Sequence, residues 1–169
     1  MKTVNTTTVQ RRRPGLACVT ALFIMAFAVS ASAQFAVSYT ATQFQLFGQA
    51  HFERNPLCPD GFMIDQIGFG PKNYCTIVVN VPAAGVYNVS FQGETEYPRD
   101  LYINLGKASG PAVSNTPYLT DGDSFKTPVE YNVGSIALKA GNNTLVFGNP
   151  NTKGQTDRCP YISEVTISQ

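Results

Sequence analysis

From Gln34 onward this chain predicts an all-β fold, an antiparallel β-sandwich. Three observations carry that expectation. Short runs rich in Val, Ile, Tyr and Phe alternate apolar and polar positions. Clusters of Gly, Pro, Asn and Asp separate those runs, and no stretch keeps a helical period. The clearest cases are TIVVNVPAAGVYNV (Thr76–Val89) and SIALKAGNNTLVFGNP (Ser135–Pro150), each a strand, a tight glycine turn and a second strand.

The first 33 residues stand apart. Arg11, Arg12 and Arg13 form a basic region, Gly15 to Val29 is apolar, and Ala31-Ser32-Ala33 suits a small-residue cleavage site. The apolar run is 15 residues long, short of the roughly 20 needed to cross a bilayer. The sequence therefore predicts a signal peptide over 1–33, a single domain over 34–169, a secreted or periplasmic location, and no membrane insertion after cleavage. The paired arginines also fit a twin-arginine signal.

Whole, the chain carries 12 basic and 11 acidic residues. Loss of Lys2, Arg11, Arg12 and Arg13 leaves eight basic side chains against the same eleven acidic ones, a net of −3. Nucleic acid and anionic membranes are recognised by clustered Lys and Arg, so both are poor partners for this domain.

Strands are expected, in order, at Ala36–Ala41, Phe44–Phe47, Met63–Phe69, Cys75–Val81, Val86–Gln92, Leu101–Leu105, Val129–Val133, Ser135–Leu138, Thr144–Phe147 and Tyr161–Ile167. Ile77, Val79 and Val81 share one face, as do Tyr87, Val89 and Phe91, and Leu101, Ile103 and Leu105. Those faces should meet in the core. Ala84-Gly85 and Ala140-Gly141-Asn142-Asn143 are turn sequences, and Pro82, lacking an N–H, ends its strand. The polar stretches Glu94–Asp100, Lys107–Ser124 and Asn149–Cys159 read as loops, and loops of such length carry function.

Three cysteines follow the signal: Cys58, Cys75 and Cys159. An oxidising compartment favours one disulfide. Cys75 shares parity with Ile77 and Val79, so it is expected buried and free. Cys58 and Cys159 lie in polar, Pro-bearing segments, and the reading favours their pairing.

Catalytic signatures are sparse. His51 is the one histidine, and no nucleophile motif surrounds it; an incidental strand histidine is expected. Glu94, Glu96 and Asp100 read as a solvated acidic loop, although a small hydrolase using them is an alternative. No Cys/His set has zinc spacing, and Asp121-Gly122-Asp123-Ser124 reads as a turn rather than a calcium loop.

Sugar binding fits the residues best. A sugar offers an apolar face for an aromatic ring and a rim of hydroxyls for planar polar groups. The loops supply Tyr97, Arg99, Tyr118, Phe125, Asn149, Asn151, Asp157 and Tyr161.

With these residues laid out, the chain resembles carbohydrate-binding modules of families 6 and 35, as found attached to α-galactosidases. The resemblance rests on Tyr39-Thr40-Ala41, Phe47-Gly48-Gln49-Ala50, Cys58-Pro59-Asp60-Gly61, Ile67-Gly68, the run Val79 to Tyr87, the run Pro98 to Ile103, the run Leu138 to Leu145, and Phe147-Gly148-Asn149-Pro150. It implies a jelly roll of the galactose-binding type and a non-catalytic, lectin-like role. It matches a sugar-contacting Asn to Asn149 and an Arg to Arg99, and it places the aromatic platform near Phe125. With Tyr97, Asp157 and Tyr161, these form the expected ligand-binding rim.

The resemblance also implies a structural calcium site, but its Glu pair falls at Thr40 and Thr42, and its last-strand acids fall near Tyr161 and Ser163. Calcium prefers carboxylate oxygens, so no cofactor is expected, calcium being the one candidate. A protein-interaction or adhesin module on the same fold is the alternative function.

Overall fold

The computed structural model describes residues 34–109, 112–119, 127–151 and 158–169, with backbone alone at 115–119. They fall in one compact unit, Ala33–Gln169. Residues 1–33, where a signal peptide is expected, lie outside the described residues, as do Phe125 and Asp157.

Eleven strands are described: β1 (Ala36–Thr40), β2 (Gln45–Phe47), β3 (His51–Arg54), β4 (Phe62–Asp65), β5 (Tyr74–Val81), β6 (Gly85–Glu94), β7 (Arg99–Leu105), β8 (Ala112–Leu119), β9 (Val129–Leu138), β10 (Gly141–Gly148) and β11 (Tyr161–Ser168). The single helical element among the described residues is a 3-10 turn at Ala41–Gln43. Every pairing is antiparallel. One sheet runs β3-β4-β11-β6-β9, with β1 also on β11; the other runs β2-β5-β10-β7-β8. The expected all-β sandwich is the observed fold.

The core lies between the sheets. Ile77, Val79, Leu101, Ile103, Leu145 and Phe147 enter it from one side; Tyr87, Val89, Phe91, Ile162, Val165 and Ile167 enter from the other. Each such side chain contributes about 1.5–3 kcal/mol by leaving water. Tyr87 can sit fully buried because its hydroxyl donates to the Ala83 carbonyl (2.8 Å). At one flank Ser114 Oγ donates to the Val133 carbonyl (3.0 Å), tying β8 to β9 across the two sheets.

Five local expectations change. The segments expected at Val129–Val133 and Ser135–Leu138 are one strand, β9. Val133 is an extra residue against β6, and Gly134, with φ +106°, absorbs the bulge while Asn132 Oδ1 accepts its N–H. The run expected over Met63–Phe69 ends at Asp65, because Gln66 (φ +60°) and Phe69 (φ +56°) turn left-handed. Strand β3 was not foreseen, and β8 lies inside the segment read as a long loop. Leu105 is exposed at the end of β7 rather than sharing the core with Leu101 and Ile103.

The expected Cys58–Cys159 pair is not formed. Cys58, Cys75 and Cys159 are all buried free thiols. Cys58 hydrogen-bonds Ser163 and sits beside Glu94, whereas Cys159 lies near Cys75 in the core. Cys159 is held there by its N–H to the Ile67 carbonyl (2.9 Å).

Candidate functional site

One end of the sandwich gathers several of the expected residues. Strand β7 begins at Arg99, and its side chain turns inward: Nη1 donates to the Cys159 carbonyl (3.0 Å), and the guanidinium lies over the Tyr161 ring. Asn149 follows β10 and bonds into the same neighbourhood through Asp100 (Nδ2 to the carbonyl, 3.5 Å). Arg99, Asn149 and Tyr161 are therefore brought together. Tyr97, 44% exposed, sits in the short turn between β6 and β7 at the same end.

Arg99 and Asn149 are not loop-tip contacts, however. They are 6% and 2% exposed. Asn149 Oδ1 accepts the Asn151 N–H (3.0 Å), its carbonyl accepts the Gly70 N–H (3.2 Å), and Asn151 Nδ2 reaches the Tyr102 hydroxyl (3.2 Å). The hollow beside Asn149 measures about 20 Å³, room for roughly one water molecule.

A groove of sugar-sized volume lies on the other side of Tyr161. It measures about 620 Å³ and is lined by Glu53, Arg54, Asn55, Asp65, Glu94 and Tyr161, with Pro56, Leu57 and Met63 as its apolar part. The β3–β4 hairpin builds one wall. His51 opposes Asp65 and Glu53 opposes Met63 in its register. Glu94 ends β6 and is buried, with Asn55 Nδ2 donating to its Oε1 (2.7 Å). Glu94 thus departs from the solvated acidic loop expected for it; Glu96 is exposed and Asp100 half-buried.

Electrostatics bind these groups together. Burial, and then the Asp65 carboxylate, push the Tyr161 hydroxyl above its ordinary pKa, while Arg99 opposes them. Burial pulls Arg99 down, while Tyr161 and Asp65 hold it up; a guanidinium remains charged throughout. Tyr161 is consequently a neutral, oriented donor facing carboxylates.

The positions matched to the family's calcium ligands carry a different link. Asp60 Oδ2 accepts from both the N–H and the hydroxyl of Thr42 (2.9 Å each), and Oδ1 accepts the Phe62 N–H (3.1 Å). Thr40 also donates toward Asp60. Ser163 is buried, its hydroxyl donating to the Gln92 carbonyl (3.0 Å). One carboxylate with its lone pairs already engaged does not fit an ion that takes 6–8 oxygens.

Sequence reasoning missed Glu53, Asn55 and Asp65. The one available signal was the His-x-Glu spacing at 51 and 53, which puts both side chains on one strand face.

The fold is thus two antiparallel sheets with a polar groove beside the β3–β4 hairpin. No family model matches the chain, and no curated protein does. Among solved structures, a family 35 carbohydrate-binding module from Clostridium thermocellum superposes with a TM-score of 0.69 at 25% identity, covering 79% of this chain and 98% of that one. A family 35 module from Paenibacillus barcinonensis gives 0.63 at 23% identity, with 79% and 98% covered. An exo-β-1,3-galactanase from Phanerochaete chrysosporium, solved with β-1,3-galactotriose, gives 0.61 at 20% identity; 78% of this chain matches, but only 29% of the enzyme. The chain thus resembles family 35 carbohydrate-binding modules in fold, over 79% of its length.

Proposed function

We propose that this is an exported, non-catalytic domain that retains oligo- or polysaccharide in the groove lined by Tyr161. The observation that carries the reading is the groove itself: an aromatic ring backed by a buried guanidinium, ringed by Asn55, Glu53, Asp65 and Glu94. The ring supplies a platform for a sugar face. Carboxylates and amides accept and donate to its hydroxyls, and Arg54 adds a charged donor. Arg99 and Asn149 act from behind, fixing Tyr161 and the 149–151 turn, while Tyr97 adds an exposed ring. Phe125 keeps the platform role the resemblance implies, and Asp157 the rim role its loop position suggests. Export is supported by the basic, apolar and small-residue order of residues 1–33.

Non-catalytic action is supported by the neighbours: carbohydrate-binding modules are matched over 98% of their length, whereas the galactanase is matched over only 29% of its own. A single site of this kind binds weakly, so retention on a repeating polymer gains from several copies.

A glycan array and affinity electrophoresis on insoluble and soluble polysaccharides test the reading. Wild type should be retained, and Tyr161→Ala and Asn55→Ala should each lose retention. A blank array together with a captured protein partner would favour the adhesin role instead.

A further inference from the structure

We propose that His51, Glu53 and Asp65 form a binding site for a divalent d-block cation, with zinc as the fitting probe.

The hairpin register makes the cluster. His51 and Asp65 are directly opposed on β3 and β4, and Glu53 lies two residues along the same strand face as His51. His51 Nε2 stands 3.8 Å from Glu53 Oε2 and 3.9 Å from Asp65 Oδ2. All three ligand atoms lie within 4.8 Å of one another.

The imidazole is also oriented. Its Nδ1 is 3.1 Å from the Gln49 carbonyl. A carbonyl can only accept, so Nδ1 carries a proton, and Nε2, which faces the two carboxylates, is the ring nitrogen available to a cation. A ring nitrogen fixed by a backbone carbonyl is the arrangement that metal-ligating histidines use.

Two donors on one zinc, bound at about 2.0–2.2 Å, stand roughly 3.0–3.6 Å apart. The observed separations need only a small contraction. Glu53 can supply it, because its side chain is 55% exposed and His51 is 50% exposed, whereas Asp65, at 12%, is the fixed point. Imidazole among the ligands selects d-block ions over calcium and magnesium, which prefer all-oxygen sets. Three protein ligands leave a position open, and Glu53 and Asp65 both line the groove. A bound cation would therefore offset charge on two of the groove's three carboxylates. The inference needs no sugar to be bound, so it can stand or fall apart from the proposed function.

The test is calorimetric titration of untagged protein with zinc chloride, then with calcium chloride, paired with NMR of the 15N-labelled His51 ring. Expected are one equivalent of zinc, a shift at Nε2 rather than Nδ1, and no matching calcium effect. His51→Ala should weaken zinc binding by at least tenfold, and Asp65→Asn should do the same. His51 is half-exposed on an edge strand, so its variant keeps the fold, which circular dichroism checks. Absence of saturable zinc binding, or zinc binding that His51→Ala weakens less than tenfold, overturns the site.

Discussion

The Arg99 guanidinium lies over the Tyr161 ring, 5.3 Å from its centroid. A buried cation is thus the floor beneath the aromatic platform, and fold and site share one side chain. Arg99→Ala should unfold more easily, because it strands the Cys159 carbonyl that Nη1 satisfies. An unsatisfied buried acceptor costs about 1–3 kcal/mol, readable as a lower urea midpoint. Arg99→Ala should also weaken sugar retention. Tyr161→Ala should weaken retention with a smaller stability loss, since Tyr161 is only half-buried. Equal stability of wild type and Arg99→Ala would contradict the buried role.

Asp60 should make the domain acid-sensitive. Burial works to raise its pKa, but bonds from the Thr42 N–H and hydroxyl, the Thr40 hydroxyl and the Phe62 N–H outweigh it, and the net shift is downward. A carboxyl with a lower pKa folded than unfolded stabilises the fold above the ordinary aspartate value, near 3.9. That contribution disappears as pH falls through the lower folded value. Melting temperature should therefore drop below about pH 4. Asp60→Asn should be less stable at neutral pH and should lack part of the acid drop. Added calcium chloride should leave the wild-type melting temperature unchanged, because the Asp60–Thr42 link stands where calcium ligands would.

How much of this was legible in the sequence depends on burial. The faces of β5 and β6 could be read from Ile77, Val79 and Val81 and from Tyr87, Val89 and Phe91, because one-sided burial imposes a period of two. Strand β3 leaves no such trace, since all four of its residues are exposed. Arg99 and Asn149 could be found by resemblance, but not their inward aim, which depends on Cys159 and Asp100 arriving from distant segments. Glu53 and Asp65 meet only through the β3–β4 register. The intervening turn sets that register, with Asn55 N–H on the Gly61 carbonyl and Asp60 on Phe62. Cysteine pairing was the poorest inference. Polar flanks suggested surface positions for Cys58 and Cys159, yet both thiols are buried.

The thiols should be silent in the native protein. Burial, followed by Glu94, pushes Cys58 to about 11. Burial also raises Cys75 and Cys159 well above the ordinary thiol value. Thiolate is the reactive form, so at pH 8 a disulfide reagent should find almost none until urea opens the fold. Protein beginning at Gln34 should then titrate as three thiols. A count of one would mean that two of the cysteines are cross-linked.

Gly93 should tolerate no side chain at all. It lies near the end of β6, opposite Ile162 in β11 and Val129 in β9. A Cβ there would fall inside contact distance of the Tyr161 carbonyl oxygen and 2.7 Å from a Phe91 ring carbon. The carbonyl belongs to the backbone and cannot rotate away, and Phe91 is packed in the core. The first turn of β11 must move, and Tyr161 moves with it. Overpacking of this kind costs about 1–3 kcal/mol, and here the strain falls directly beneath the groove. Gly93→Ala should therefore lower both the melting temperature and sugar retention, whereas Glu96→Ala, on the exposed turn nearby, should change neither. Retention lost in Gly93→Ala at full stability would show that the groove senses Tyr161's position independently of the fold. Retention kept despite a clear stability loss would place the sugar away from Tyr161.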